Sequence, residues 1–187
     1  TVLNIPQNLI NQSFSRIEMI PLDSGKWAGF MMRWNDNTLL RFQFDSLRDD
    51  TPTLTETSFN GIIDKARGIA VDTANGEINL LIPQRNAAEL LWVDLGNNPL
   101  GPIVDSSMIP LAGNDNAAEV IIRRACGSLY AFVLREGNNN RILRLNFGSS
   151  FHASPQIDTL TNFQEGGGGS GFFHMADFRA FGRYYLV

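Results

Sequence analysis

The chain has 187 residues, of which 43% are hydrophobic and 18% charged, and its formal net charge is −4. This composition is typical of a globular domain and excludes a disordered chain. One cysteine and two histidines exclude an internal disulfide and argue against a histidine- or cysteine-based metal or catalytic centre. The positive charges are scattered, and no apolar run reaches the roughly 20 residues of a membrane helix. We therefore expect no cofactor, no bound metal, no nucleic-acid partner and no direct membrane insertion.

A repeat of about fifty residues runs through the chain. Gly25, Gly76 and Gly127 are spaced 51 residues apart, and each precedes a short apolar segment. The ends of later apolar segments have nearly the same spacing: Phe44, Leu95 and Phe147. A fixed period of this length predicts one supersecondary unit repeated along the chain.

Each unit is predicted to contain four short strands, separated by turns rich in asparagine and glycine. The first strands are expected at 15–20, 68–71, 118–122 and 171–176. The second strands are expected at 27–32, 78–82, 129–134 and 183–187. The third strands are expected at 39–44, 89–95 and 142–147. The fourth strands are expected at 53–57, 103–107 and 156–160.

Four antiparallel strands in about 51 residues are typical of a β-propeller blade, so an all-β propeller is predicted. The blades would span 15–65, 66–116 and 117–167, with 1–14 ending a preceding blade and 168–187 beginning a further one. That makes about 3.7 blades, fewer than the roughly 4 to 8 of a closed ring. We therefore expect this chain to be a segment of a longer protein.

One unit also resembles a known family. Residues 141–150, Arg-Ile-Leu-Arg-Leu-Asn-Phe-Gly-Ser-Ser, are followed by Ser154-Pro155 and by Leu-Thr-Asn-Phe at 160–163. This pattern resembles the propeller repeats of large secreted proteins of Bacteroidota. Those proteins often carry polycystic-kidney-disease-type domains and a gliding-motility-associated sorting domain for type 9 secretion. The resemblance implies an extracellular or cell-surface location and a recognition or scaffold role.

A candidate binding face is predicted where second strands lead into third strands. The period superposes Arg33, Gln84 and Arg135, since 33 + 51 = 84 and 84 + 51 = 135. Their neighbours complete the candidate ligand-binding set: Trp34, Arg85 and Asn138. Connections from a fourth to a next first strand, such as 60–67 and 164–170, should open on the same face. Planar polar side chains with an exposed tryptophan suit a glycan or a protein ligand, although they are also compatible with a merely solvated rim.

Other partners would be further blades of the same chain or other subunits. The alternative to a binding module is a propeller-type hydrolase or lyase with its site in the central channel. Such an enzyme needs clustered titratable groups on the innermost strands. The candidates there do not recur at matched positions: Glu18, Asp72, Glu119, His174 and Asp177. No catalytic residue is therefore predicted.

The remaining candidates are expected to be structural. Cys126 lacks a base and an oxyanion site in its sequence surroundings, and His152 is expected in a solvated loop. The glycine run 166–169 is expected to connect two blades, because no helix follows it as phosphate binding requires. Segments 35–37 and 114–116 have asparagine and aspartate at calcium-loop spacing but lack the bidentate glutamate.

Overall fold

Consecutive antiparallel strands form all the regular structure described. The computed structural model describes residues 13–46, 51–74, 76–111, 113, 116–136, 141–162, 177–180 and 183–186. Sheet 1 contains β1 (Glu18–Pro21), β2 (Trp27–Arg33), β3 (Thr38–Phe44) and β4 (Thr53–Ser58). Sheet 2 contains β5 (Ala70–Ala74), β6 (Glu77–Pro83), β7 (Glu89–Asp94) and β8 (Asp105–Pro110). Sheet 3 contains β9 (Asn116–Ala125), β10 (Ser128–Glu136), β11 (Arg141–Asn146) and β12 (Gln156–Asn162).

Each of the three sheets is a meander in which neighbours along the chain are also neighbours in the sheet. A further hairpin pairs β13 (Asp177–Ala180) with β14 (Arg183–Leu186). The described residues include one 3-10 turn, Asp23–Gly25, and no α-helix. The prediction of an all-β chain with four-stranded antiparallel units is confirmed at this level.

The predicted second and third strands agree with the structure to within two residues at each end. The fourth strand of sheet 2 was expected at 103–107, but β8 is Asp105–Pro110. Its pairing begins where Asp105 faces Asp94, because residues 98–101 form a turn closed by a hydrogen bond from Gly101 N–H to the Asn98 carbonyl oxygen. The first strand expected at 171–176 lies outside the described residues, and the strand that pairs with β14 begins at Asp177.

The turns between first and second strands share a glycine with positive φ in all three sheets. Gly25, Gly76 and Gly127 have φ values of +79°, +79° and +77°. This left-handed region is open to glycine and strained for residues with a β-carbon. The repeated glycine is therefore a requirement of the turn itself.

Most of the described apolar core lies in two layers, one on each face of sheet 2, and a smaller cluster of Ile121, Leu134 and Ile142 lies on sheet 3. In β6, Leu80 and Ile82 pack in the layer with sheet 1, whereas Leu81 packs in the layer with sheet 3. A strand covered on both faces has no need of alternating polar residues. This explains the unbroken apolar run 80–82, in which every side chain is buried.

The first strands of the sheets lie side by side, with β1 next to β5 and β5 next to β9. The segments that lead into these strands therefore meet at one end of the sheet stack. The loops between second and third strands lie at that end too, since Phe14 pairs with Arg33 and Ala66 with Gln84. This end, called the loop end below, contains the candidate site.

Candidate ligand-binding site

Arg33, Gln84 and Arg135 occupy equivalent backbone positions in the three sheets. Each pairs with a residue at or just before the start of the first strand of its sheet. The partners, in the same order, are Phe14, Ala66 and Ala117. The 51-residue spacing thus identified structurally matched positions. It did not identify matched surroundings, because the three side chains differ in burial and in bonding.

Gln84 and Arg135 are buried. Gln84 is 4% exposed; its Oε1 accepts the backbone N–H of Asp64 at 3.0 Å, and its Nε2 donates to Glu89 at 3.3 Å. Arg135 is 0% exposed, and its guanidinium lies beside Gly113. The alternative that these two side chains belong to a solvated rim is therefore wrong, since neighbouring segments enclose them, and their ligand-binding role stays a prediction.

Arg33 is partly accessible and ion-paired. Its Nη2 lies 2.7 Å from Asp36 Oδ2 and 3.1 Å from Glu56 Oε2. The hydrogen bond with Asp36 raises the pKa of Arg33 and lowers the pKa of the Asp36 carboxyl group. Its positive charge is thus matched inside sheet 1, and a ligand role for Arg33 stays a prediction.

Trp34 and Arg85 lie close together, as the predicted site requires. The Arg67 guanidinium carbon lies 5.0 Å from the centroid of the Trp34 ring, and that of Arg85 lies 5.8 Å from it. Both distances are within the range of a cation–π interaction. Asn138, the remaining member of the predicted set, lies outside the described residues.

A cavity of about 280 Å³ opens beside Trp34. Its wall comes from the segments leading into β1 and β5, from β9, and from the loop after β2. The lining residues are Phe14, Ser15, Arg16, Trp34, Ala66, Arg67 and Glu119. Three consecutive sheets therefore contribute to one polar and aromatic cavity.

An ion pair crosses this cavity from sheet 1 to sheet 3. Arg16 Nη1 lies 3.3 Å from Glu119 Oε1, and the Glu119 side chain is 4% exposed. Gly68 lies beside Glu119, and a β-carbon there would be 3.2 Å from Glu119 Oε1 and 3.2 Å from the Pro83 side chain. The absence of a side chain at Gly68 thus leaves room for the Glu119 carboxylate.

A second ion pair joins sheets 2 and 3 at the same end. Arg67 Nη1 donates to both carboxylate oxygens of Glu136, at 3.1 and 3.2 Å. Burial lowers the pKa of Arg67, the Glu136 carboxylate raises it, and the positive charge of Arg85 lowers it. Arg67 is therefore a partly desolvated cation with one anionic and one cationic neighbour.

The carboxylates of β1, β5 and β9 are all ion-paired with arginines. Glu18 lies 2.6 Å from Arg16, and Asp72 lies 2.6 Å from Arg124. Glu119 shares Arg16 with Glu18. The other two candidates for a catalytic channel cannot be placed: His174 lies outside the described residues, as does the side chain of Asp177.

The remaining sequence candidates have structural surroundings. Cys126 is exposed in the turn before Gly127, with φ of +51°. His152 is exposed, as expected for a loop, and its ring packs edge-on against Trp92 at 4.9 Å. In the 35–37 segment, the Asn37 amide donates to the Ile63 carbonyl oxygen and accepts the Ala66 N–H. The 114–115 and 166–169 segments lie outside the described residues.

Within the described part of the chain, no three His, Cys, Asp or Glu side chains come together as metal ligands. The same residues contain no helix long and apolar enough to span a bilayer.

No protein-family model matches the sequence, and no curated protein matches it. Among solved structures, the chain is similar to a bifunctional GH43-CE protein of Bacteroides eggerthii. The TM-score is 0.59 at 11% sequence identity. The match covers 81% of this chain and 20% of that one, so the chain spans a fifth of its structural neighbour. At this identity the likeness concerns the fold alone.

Sequence reasoning missed the binding roles that the structure makes possible for Arg16 and Arg67. Arg67 ends the 60–67 connection, which was expected on the same face, and its position before a first strand is the signal that identifies it. Arg16 was assigned to a first strand at 15–20, whereas β1 begins at Glu18. Its pairing with Glu119, 103 residues later, depends on how the sheets stack and has no local sequence signal.

Proposed function

We propose that this chain forms part of a β-propeller and acts as a non-enzymatic recognition module of a secreted or cell-surface protein. The meander sheets, with their first strands side by side, support the radial arrangement. The GH43 structural neighbour, which is a propeller, supports it as well. The resemblance to repeats of secreted Bacteroidota proteins supports a location outside the cell.

The observation that carries the recognition role is the cavity beside Trp34. It combines an aromatic ring with a buried carboxylate, Glu119, and with the guanidinium groups of Arg16 and Arg67. Small-ligand sites characteristically combine apolar walls with a few converging polar groups. The proposed ligand is a glycan, whose hydroxyl groups match donors and acceptors and whose ring faces match an aromatic side chain.

The hydrolase alternative is less well supported by the same geometry. Most glycosidases need two carboxyl groups about 5 to 10 Å apart, one a proton donor and the other a base or nucleophile. Glu119, which lines the cavity, and Glu18 both contact Arg16, and Glu136 is bonded to Arg67. A guanidinium beside a carboxylate favours its ionised form and so opposes a proton-donor role.

A glycan-array experiment tests the proposal with two tryptophan variants. Trp34 lies just after β2, and Trp27 begins the same strand, far from the cavity. We expect the wild-type chain and Trp27→Ala to retain the same glycans, and Trp34→Ala to lose at least tenfold in affinity while keeping its folded circular dichroism spectrum. Equal retention by both variants, or no glycan retained by the folded wild-type chain, would overturn the proposal.

A further inference from the structure

Positively charged groups outnumber negatively charged ones around the Trp34 ring. Two guanidinium groups, those of Arg67 and Arg85, lie over the ring at 5.0 and 5.8 Å. One carboxylate, that of Glu136, is bonded to this pair, through Arg67. Arg85 interacts with the ring, and its backbone N–H donates to the Lys65 carbonyl oxygen. Arg67 lines the cavity and Arg85 lies beside it at the Trp34 ring, so the described charged groups at this ring leave an excess of positive charge.

Holding two like charges over one ring has a cost that a bound anion would offset. Burial lowers the pKa of Arg67, and repulsion from Arg85 lowers it further, against the attraction of Glu136. A ligand anion in contact with both guanidinium groups would accept charge-assisted hydrogen bonds and offset the repulsion between them. The planar donor fork of arginine matches a carboxylate especially well.

We propose that the ligand of this cavity is an acidic saccharide, whose ring carboxylate binds Arg85 and Arg67 while its hydroxyl groups face Ser15, Arg16 and Glu119. This inference rests on the proposed glycan-binding function and specifies its ligand class. The cavity volume of about 280 Å³ lies near the lower end of ligand pockets, about 300 Å³. A single substituted ring suits that volume better than an extended peptide.

Titration calorimetry with two matched trisaccharides tests the ligand class. Trigalacturonate carries ring carboxylates, and the neutral galactose trimer does not. We expect the wild-type chain to bind trigalacturonate at least tenfold more tightly, with an affinity that falls as salt concentration rises. We expect Arg85→Gln to remove most of that preference. Arg144 is a partly exposed arginine of β11 that is paired with Asp158 of β12. The control variant Arg144→Gln should leave the preference for trigalacturonate unchanged.

The outcomes separate this inference from the function on which it rests. Equal affinity for both trimers, lost together in Trp34→Ala, would overturn the acidic class and leave glycan binding intact. The chain could also bind neither trimer and still retain array glycans that Trp34→Ala loses. That result would likewise overturn the acidic class and leave glycan binding intact. Tighter binding of a triglutamate peptide than of trigalacturonate would overturn it in favour of an acidic protein partner. A trigalacturonate preference that survives Arg85→Gln would also contradict it.

Discussion

The two ends of the stacked sheets differ in how faithfully they repeat. At the turn end, Gly25, Gly76 and Gly127 repeat both the residue and the backbone angle. At the loop end, the backbone pairing repeats, but the side chains are a partly exposed, ion-paired arginine in sheet 1, a buried amide in sheet 2 and a fully buried arginine in sheet 3. The repeated unit therefore maintains its scaffold at one end and varies its chemistry at the other, where the cavity lies.

The physical reason is the range of the interactions involved. A tight turn is decided by the φ and ψ angles of two or three successive residues, so each unit can satisfy it alone. At the loop end, Gln84 is bonded to Asp64 from the preceding connection, and Arg135 lies beside Gly113. Those partners come from segments outside each hairpin, and these segments differ between units.

The largest effect is expected at Arg135. Arg135→Ala removes a completely buried side chain, leaves a void and strips its partners of a donor, so we expect a loss of about 3 kcal/mol in the free energy of unfolding. Arg144→Ala, at a side chain 42% exposed, should cost about 0.5 kcal/mol or less. Urea unfolding followed by fluorescence measures both. If both variants lose a similarly small amount of unfolding free energy, the Arg135 side chain contributes no more to stability than an exposed one.

An intermediate effect is expected at the turn end. Gly76 has φ of +79°, and a β-carbon there would meet no atom within 4 Å, so any penalty comes from the backbone alone. We expect Gly76→Val to lower stability by about 2 kcal/mol and Gly76→Asn by clearly less, because asparagine tolerates the left-handed region. Thermal melts of both variants test this order. Equal losses would indicate that φ is not the determinant of the turn.

The smallest effect concerns the partly exposed pair of Arg33 and Asp36. The hydrogen bond from Arg33 lowers the pKa of Asp36 in the folded chain. The pair therefore stabilises the fold above the ordinary aspartate pKa of about 3.9, and the contribution disappears as pH falls through the lowered value. We expect wild type to exceed Asp36→Asn by about 0.5 kcal/mol at pH 7 and to match it near pH 2.

Arg33→Met provides the control for this pair. In that background, the effect of Asp36→Asn should differ less between pH 7 and pH 2, as measured by urea unfolding at each pH, because only the hydrogen bonds from Thr38 still lower the pKa of Asp36. An undiminished difference without Arg33 would assign the lowered pKa of Asp36 to Thr38 alone.

Much of the architecture followed from local patterns. The second strands, the third strands and the positive φ of the recurring glycines were predictable because each depends on alternation or turn chemistry within a few residues. Trp34 and Arg85 were identified as candidates from their place in the repeat. The burial of Gln84 and Arg135 was not predictable, since periodicity locates a residue on a strand and carries no information about which segment covers it.

By itself, the sequence determined a repeating set of antiparallel sheets, and it predicted the end of those sheets that the proposed ligand would contact. Only the tertiary structure decided which side chains meet there. Arg16 contacts Glu119, and the guanidinium groups of Arg67 and Arg85 both lie over the ring of Trp34. Hydrogen-bonded strand pairing acts between chain neighbours and can be inferred from a local pattern. The charge pairs and ring contacts of the cavity join residues from separate units, so they exist only once the sheets have packed together.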